Sequence, residues 1–243
     1  MNIILLSPRN SEESQKIEKC AHWLNWKSLR LETNWKVPKA VLARKHGVYV
    51  YGEPLFGLYV AEQLNKNLHL PAKDWLSSLP EEFLKRWLCI SKGKNLDSVF
   101  KLHENVFLKP LTQKQFEAKV YNVSSDLSSV PTEEEIIMSE PVKFDIEIRF
   151  FILSNKVKTF TQYYTTLENR IVATSDELRE SQNFIHSLLK MKELIPTKSV
   201  VVDVGKSCRG WSVIEANESY CSSLYEAEPS MVLETLKGQW IKE

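Results

Sequence analysis

Residues 201–217 read VVDVGKSCRGWSVIEAN, and no other stretch of the chain constrains its fold as tightly. The β-branched run at 200–204 describes a strand and 211–217 alternates in polarity like a second, so residues of equal parity share a face. Glu215 and Asn217 therefore point the same way. A hairpin across the turn from Gly205 to Gly210 brings Asp203 close to that pair. Two carboxylates and an amide carbonyl are hard oxygen ligands, the kind a magnesium ion takes while it also holds substrate phosphates. The same positions also suit an edge hairpin with solvated polar side chains, so the motif gains meaning only from its surroundings.

Those surroundings change character along the chain. Residues 2–6 form a short apolar run of buried-strand type, 11–26 show helical spacing through Ile17, Cys20, Ala21 and Leu24, 46–51 (HGVYVY) form a second strand, and 55–64 a second helix. This alternation predicts a small α/β unit over residues 1–78, with a Pro-punctuated connector near its end. Over 79–243 the strands lengthen. Strands are expected at 106–109, ending in Pro110, at 135–138, and at 143–153, whose KFDIEIRFFIL returns through Ser154-Asn155 into 157–164 as an antiparallel hairpin. Residues 176–192 read as an amphipathic helix capped by Ser175.

Composition removes several classes of function. With 243 residues the chain can bury a sizeable core, and a net charge of +1 with 26% charged residues lacks the basic excess that binding to phosphate backbones needs. Cys20, Cys89, Cys208 and Cys221 are widely spaced without a CxxC pair, which predicts reduced thiols rather than a zinc site or disulfide framework. No apolar stretch approaches a membrane span and the start lacks a leader pattern, so a soluble cytoplasmic protein is expected. The five histidines lack metal-ligand spacing and no Ser-His-Asp or Cys-His arrangement is apparent.

A strand ending in Lys-Pro, a strand leading to a short acidic hinge, a charged alternating strand, a helix, and then Asp followed by Glu-x-Asn: this order resembles the ATP-grasp superfamily. The similarity covers about residues 86–226 and lies nearest a small, often phage-associated clade in which two arginines and one lysine surround the nucleotide. FLKPLTQKQF and EIRFF are similar to that clade's Lys-Pro and Glu-x-Arg patterns. The resemblance implies an α+β fold of two subdomains gripping ATP, preceded by the small α/β domain, and a carboxylate–amine ligase that makes an amide through an acyl-phosphate.

It also implies roles for individual residues. Lys109 would reach the ATP phosphates, as a strand-end lysine with three donors can. Glu140 and Val142 fall where the family's hinge pairs the adenine edge through backbone groups. Glu147 would lie near ribose or metal, and Arg149 would reach the phosphates or the acyl-phosphate. Arg86 is the candidate for the second arginine, with Lys85 competing. Asp203, Glu215 and Asn217 would hold magnesium. The chain departs from many ATP-grasp enzymes in lacking a glycine-rich phosphate loop, since no glycine lies between Gly93 and Gly205; Lys114 and nearby backbone would replace it. Lys206 or Arg209 would supply the basic residue that many members carry beside the Asp ligand.

The substrates implied are a small-molecule or peptide acid and an amine. A nucleotide-binding module without turnover and a phosphotransferase acting on a hydroxyl are the rivals that the same site supports. Trp23, Trp26 and Trp35, near Lys27, Arg30 and Lys36, also leave room for a binder of single-stranded nucleic acid, though such aromatics more often line internal contacts.

Overall fold

The computed structural model describes residues 1–111, 115–166 and 172–241. Its first sheet is parallel, with order β2-β1-β3 from β1 (Ile3–Leu6), β2 (Lys27–Arg30) and β3 (Val48–Tyr51). Helix α1 (Glu12–Trp23) crosses from β1 to β2, and the Ser11 hydroxyl caps it by accepting from the Ser14 amide at 3.2 Å. The short helix α2 (Lys39–Leu42) precedes β3, and α3 (Pro54–Gln63) follows it, burying Phe56 and Val60. The expected α/β opening is therefore present, with one strand the pattern did not show: KSLR of β2 has no alternation to betray it.

Two short helices, α4 (Trp75–Ser78) and α5 (Glu81–Leu84), lead into a second sheet, antiparallel throughout. It contains β4 (Leu88–Lys92), β5 (Asn105–Pro110), β6 (Lys119–Asn122) and β7 (Glu135–Ser139) in the order β4-β7-β5-β6, with α6 (Leu96–Phe100) between β4 and β5. From β7 the chain runs through residues 140–145 without regular structure and enters the third sheet. That sheet is also antiparallel, in the order β11-β10-β8-β9, from β8 (Ile146–Leu153), β9 (Lys156–Thr165), β10 (Ser199–Ser207) and β11 (Gly210–Glu218). Its β8–β9 turn places Ser154 and Asn155 in left-handed backbone, as a tight two-residue hairpin requires.

Helix α7 (Ser175–Lys190) starts one residue earlier than its sequence pattern implies. Thr174, not Ser175, is its cap: the Thr174 hydroxyl accepts from the Glu177 amide while the Glu177 carboxylate accepts from the Thr174 amide. The β10–β11 turn is likewise tighter than Gly205 to Gly210, because Gly205 pairs with Ser212 inside the ladder.

Parity along the third sheet divides its two faces. Ile148, Phe150 and Ile152 of β8 and Val200, Val202 and Val204 of β10 lie on one core with α4, α5 and α7. Phe151 and Val201 face the opposite way, into the core formed by the parallel sheet, α1, α3 and the C-terminal helix α8 (Pro229–Leu236). At this end both faces of the sheet are buried, which is why its strand sequences approach continuous apolar runs. Trp26 packs on Tyr49 and Trp35 on Phe56 and Tyr59, so two of the three clustered tryptophans serve internal contacts. Among the described residues no helix is long and apolar enough to cross a membrane.

Candidate active site

Two residues before Phe151 and two after Val201, on the same face, stand Arg149 and Asp203. Register places them directly opposite each other, and Asp203 is in turn opposite Glu215 on β11, while Val201 is opposite Asn217. The alternation that packs the core thus lines up the polar side chains beyond its edge. Arg149 grips Asp203 with both arms of its guanidinium, Nε to Oδ1 at 2.9 Å and Nη2 to Oδ2 at 2.8 Å, and donates from Nη1 to the Ser223 carbonyl at 3.1 Å. The Asn217 amide donates to Asp203 Oδ2 at 3.2 Å and to Glu215 Oε1 at 3.0 Å.

Lys109 completes the cluster from the second sheet. It lies near the end of β5, opposite Ile137 of β7, and its ammonium donates to Glu215 Oε2. Residues 140–145 connect the two sheets, so a cation from one meets carboxylates from the other. Burial alone would raise the Glu215 carboxyl, but the charge and hydrogen bond of Lys109 outweigh it and hold the group below the ordinary glutamate value. For Asp203 burial is the larger influence and pushes the carboxyl up, against the opposing pull of Arg149. Glu147 is also raised, by burial first, relieved in part by a hydrogen bond from Tyr163 and reinforced by Asp203 and Glu215.

Two aromatic rings close one side of the cluster. Tyr163 and Tyr225 stack with centroids 5.3 Å apart, and the Arg149 guanidinium carbon lies 5.3 Å from one ring and 5.4 Å from the other. Sequence reasoning missed both tyrosines. Tyr163 is the extra residue of a β-bulge, since Glu147 pairs with Tyr164 and Ile148 with Gln162, and bulges re-aim side chains in a way alternation does not foresee. Tyr225 follows the third sheet in left-handed backbone.

The remaining candidates lie elsewhere. Arg86 is buried below the hinge, where Nη1 donates to the Leu84 and Val213 carbonyls at 3.0 and 2.9 Å and its guanidinium lies 6.0 Å from the centroid of the Phe144 ring; burial pushes its pKa down to about 10, against the nearby Glu140. Glu140 begins the connector and pairs with both guanidinium nitrogens of Arg209 at 2.7 and 2.6 Å, while its amide donates to the Trp87 carbonyl. Val142 is half-buried in the same connector. Lys206 pairs with Glu180 at 2.9 Å and Glu177 at 3.5 Å, so Arg149, rather than Lys206 or Arg209, is the base held against Asp203. Lys85, in left-handed backbone at the end of α5, gives its carbonyl to Arg209. Lys114 lies outside the described residues.

Among the described residues no group of three or more His, Cys, Asp or Glu side chains could hold a metal ion. The donor set here is two carboxylates and an amide, and its chemistry fits a hard divalent cation that takes its other ligands from phosphate and water. Asp203 and Glu215 are already bridged by one amide, and the Lys109 ammonium stands on Glu215 as a cation in that place. With its amide turned, Asn217 would offer oxygen as the third donor.

The comparisons with known proteins agree with this arrangement. Among curated proteins none matches the sequence significantly. The fold is similar to that of the ATP-grasp ligase PsnB solved with a minimal precursor, at 11% identity and TM-score 0.60 over 97% of this chain and 98% of that one. A RimK domain ATP-grasp protein from Sphaerobacter thermophilus is similar at 11% identity and TM-score 0.60, over 98% and 100% of the two chains. D-alanine–D-alanine ligase from Bacillus anthracis, solved with ATP, is similar at 17% identity and TM-score 0.57 over 97% and 95%. At such identities the likeness concerns the fold. The sequence itself matches, over residues 83–235, family 2 of the ATP-grasp domains of the two-arginine, one-lysine clade, and the chain belongs to that ATP-grasp family.

Proposed function

We propose that this protein is an ATP- and magnesium-dependent carboxylate–amine ligase that forms an amide or peptide bond through an acyl-phosphate. The observation that carries this reading is the meeting of Lys109 from one sheet with Glu215, Asn217 and Asp203 from the other, beside Arg149. In such a cleft Lys109 and Arg149 hold the transferring phosphoryl group with fixed positive charge. Asp203, Glu215 and Asn217 hold the magnesium, which when bound neutralises charge on the phosphates. Glu140 and Val142 present backbone groups to the adenine, Glu147 lies toward the ribose or metal, and Arg86 and Lys114 add positive charge at the margins. Residues 1–78 form the N-terminal unit and 79–243 the ATP-grasp unit. The acid and the amine are small molecules or peptides of a cytoplasmic pathway, in keeping with the precursor bound to PsnB and the name of the D-alanine ligase.

The attacking oxygen belongs to the substrate carboxylate, so the chain needs no nucleophile of its own. Arg149 has its Nε and one Nη on Asp203, which orients the remaining Nη and prevents the fork from rotating. Mg-ATP should raise the melting temperature, as a ligand of the native state does. ATP turnover with a panel of amino acids and peptides, with hydroxylamine present, should yield a hydroxamate. No thermal shift at millimolar Mg-ATP overturns the reading; a phosphorylated hydroxyl without hydroxamate replaces it with phosphotransfer, and binding without turnover replaces it with a nucleotide-binding module.

A further inference from the structure

We infer that Lys109 and the metal ion compete for Glu215, so that the site takes up a divalent cation readily only after an anion such as a nucleotide's phosphates has drawn Lys109 away. This rests on the proposed nucleotide site and concerns how that site is gated.

The two ion pairs of the cluster are built differently. Arg149 and Asp203 have side chains only 10% and 1% exposed, joined by two parallel hydrogen bonds, and Arg149 has a further bond to the Ser223 carbonyl. Both lie in neighbouring strands of one sheet, so nothing short of breaking that sheet separates them. Lys109 and Glu215 are 36% and 30% exposed and belong to different sheets. Their contact is a single ammonium on one carboxylate oxygen, and a lysine ammonium has no planar fork to hold it there.

Both oxygens of Glu215 are engaged, Oε2 by Lys109 and Oε1 by Asn217. A cation arriving by itself must displace the ammonium. It would then leave Lys109 beside a dication without a counter-ion, in a cleft that already holds Arg149. A polyphosphate removes that conflict: the ammonium moves to phosphate oxygen, Glu215 is released to the metal, and every charge keeps a partner. The exchange makes metal and phosphate binding mutually favourable, and by linkage the coupling is equal in both directions. Because Lys109 spans the two sheets, the same exchange releases the one from the other.

Manganese is the probe, titrated without nucleotide and followed by the electron paramagnetic resonance signal of the free ion. Wild type should bind it weakly, and Lys109→Met should bind it about tenfold more tightly, within the usual span of such couplings. Lys109→Arg, which keeps the charge, should behave as wild type, and Glu215→Gln should abolish the gain when added to Lys109→Met. Equal manganese affinity in wild type and Lys109→Met overturns the competition, and so does a gain that survives Glu215→Gln. Lys109 is partly exposed, so these variants retain the fold, which thermal unfolding of each will verify. Failure of wild type to bind Mg-ATP at all removes the functional reading. Nucleotide binding with unchanged manganese affinity in Lys109→Met removes only the inference.

Discussion

The two antiparallel sheets that meet at the cluster differ in almost everything except strand number. The third sheet has strands of 8 to 10 residues, and it supplies Glu147, Arg149, Asp203, Glu215 and Asn217. Strands of the second have only 4 to 6 residues and bring Lys109 alone. Its core is a small separate group including Val106, Leu108, Ile136 and Met138, whereas the third sheet packs into two cores at once. The lesson is a division of mechanical labour: groups that must keep fixed mutual geometry share the doubly buried sheet, and the cation that must come and go rides on the lighter one.

The largest effect should come from the fixed pair. Asp203→Ala leaves Arg149 buried without its partner, and breaking a buried pair from one side costs about 3–5 kcal/mol. Urea unfolding should show this, while Lys109→Met, from the partly exposed pair, should stay within about 1 kcal/mol. Similar costs for the two would erase the contrast.

Next in size is Arg149→Lys. It keeps the charge but loses the fork on Asp203, and turnover should fall by about two orders of magnitude, the scale of one lost transition-state donor. Nucleotide affinity should change far less. Parallel losses in both would mean that Arg149 binds the ground state rather than the developing charge.

Hydrogen exchange compares the sheets directly. Amides of β5 and β6 should open with protection at least roughly tenfold lower than those of β8 and β10, and Mg-ATP should narrow the gap. Uniform protection would make the lighter sheet as rigid as its neighbour.

The smallest effect concerns the Glu140–Arg209 pair at the hinge. Arg209, chiefly through its hydrogen bond, holds Glu140 below the ordinary glutamate value. An acid with a lowered native value adds stability at neutral pH and loses that contribution as pH falls through the native value. Glu140→Gln should therefore cost under about 1 kcal/mol at pH 7, since Arg209 is half exposed, and nothing at pH 2. A cost that does not change with acid would mean that the pair is not what stabilises this contact.

Much of this is legible in the sequence for one reason: parity. The spacing of Glu215 and Asn217, and of Glu147 and Arg149, is enough by itself to assign each pair to one strand face. The hairpin β8–β9 is equally plain, because alternation and a two-residue turn coincide there. What parity does not reveal is which strands become neighbours. Arg149 and Asp203 are 54 residues apart with α7 between them, so no local pattern announces their ion pair. Bulges also defeat it, as at Tyr163. Short strands such as β4 and β6 have too few residues to show a period, and the cap of α7 falls one position from the expected one because Thr174 and Ser175 are both good caps.

Gly205 adds a dimensional constraint. A methyl group built there would lie 2.4 Å from the Phe144 ring, so the connector lies flat against β10 with no room for any side chain between them. Phe144 also lies against the Arg86 guanidinium, whose other contacts are backbone carbonyls. The connector is thus clamped at its far end like a leaf spring, and bending is left to the few residues nearer β7. The length of that free span, rather than the strength of any single bond, sets how far the lighter sheet can swing from the heavier one.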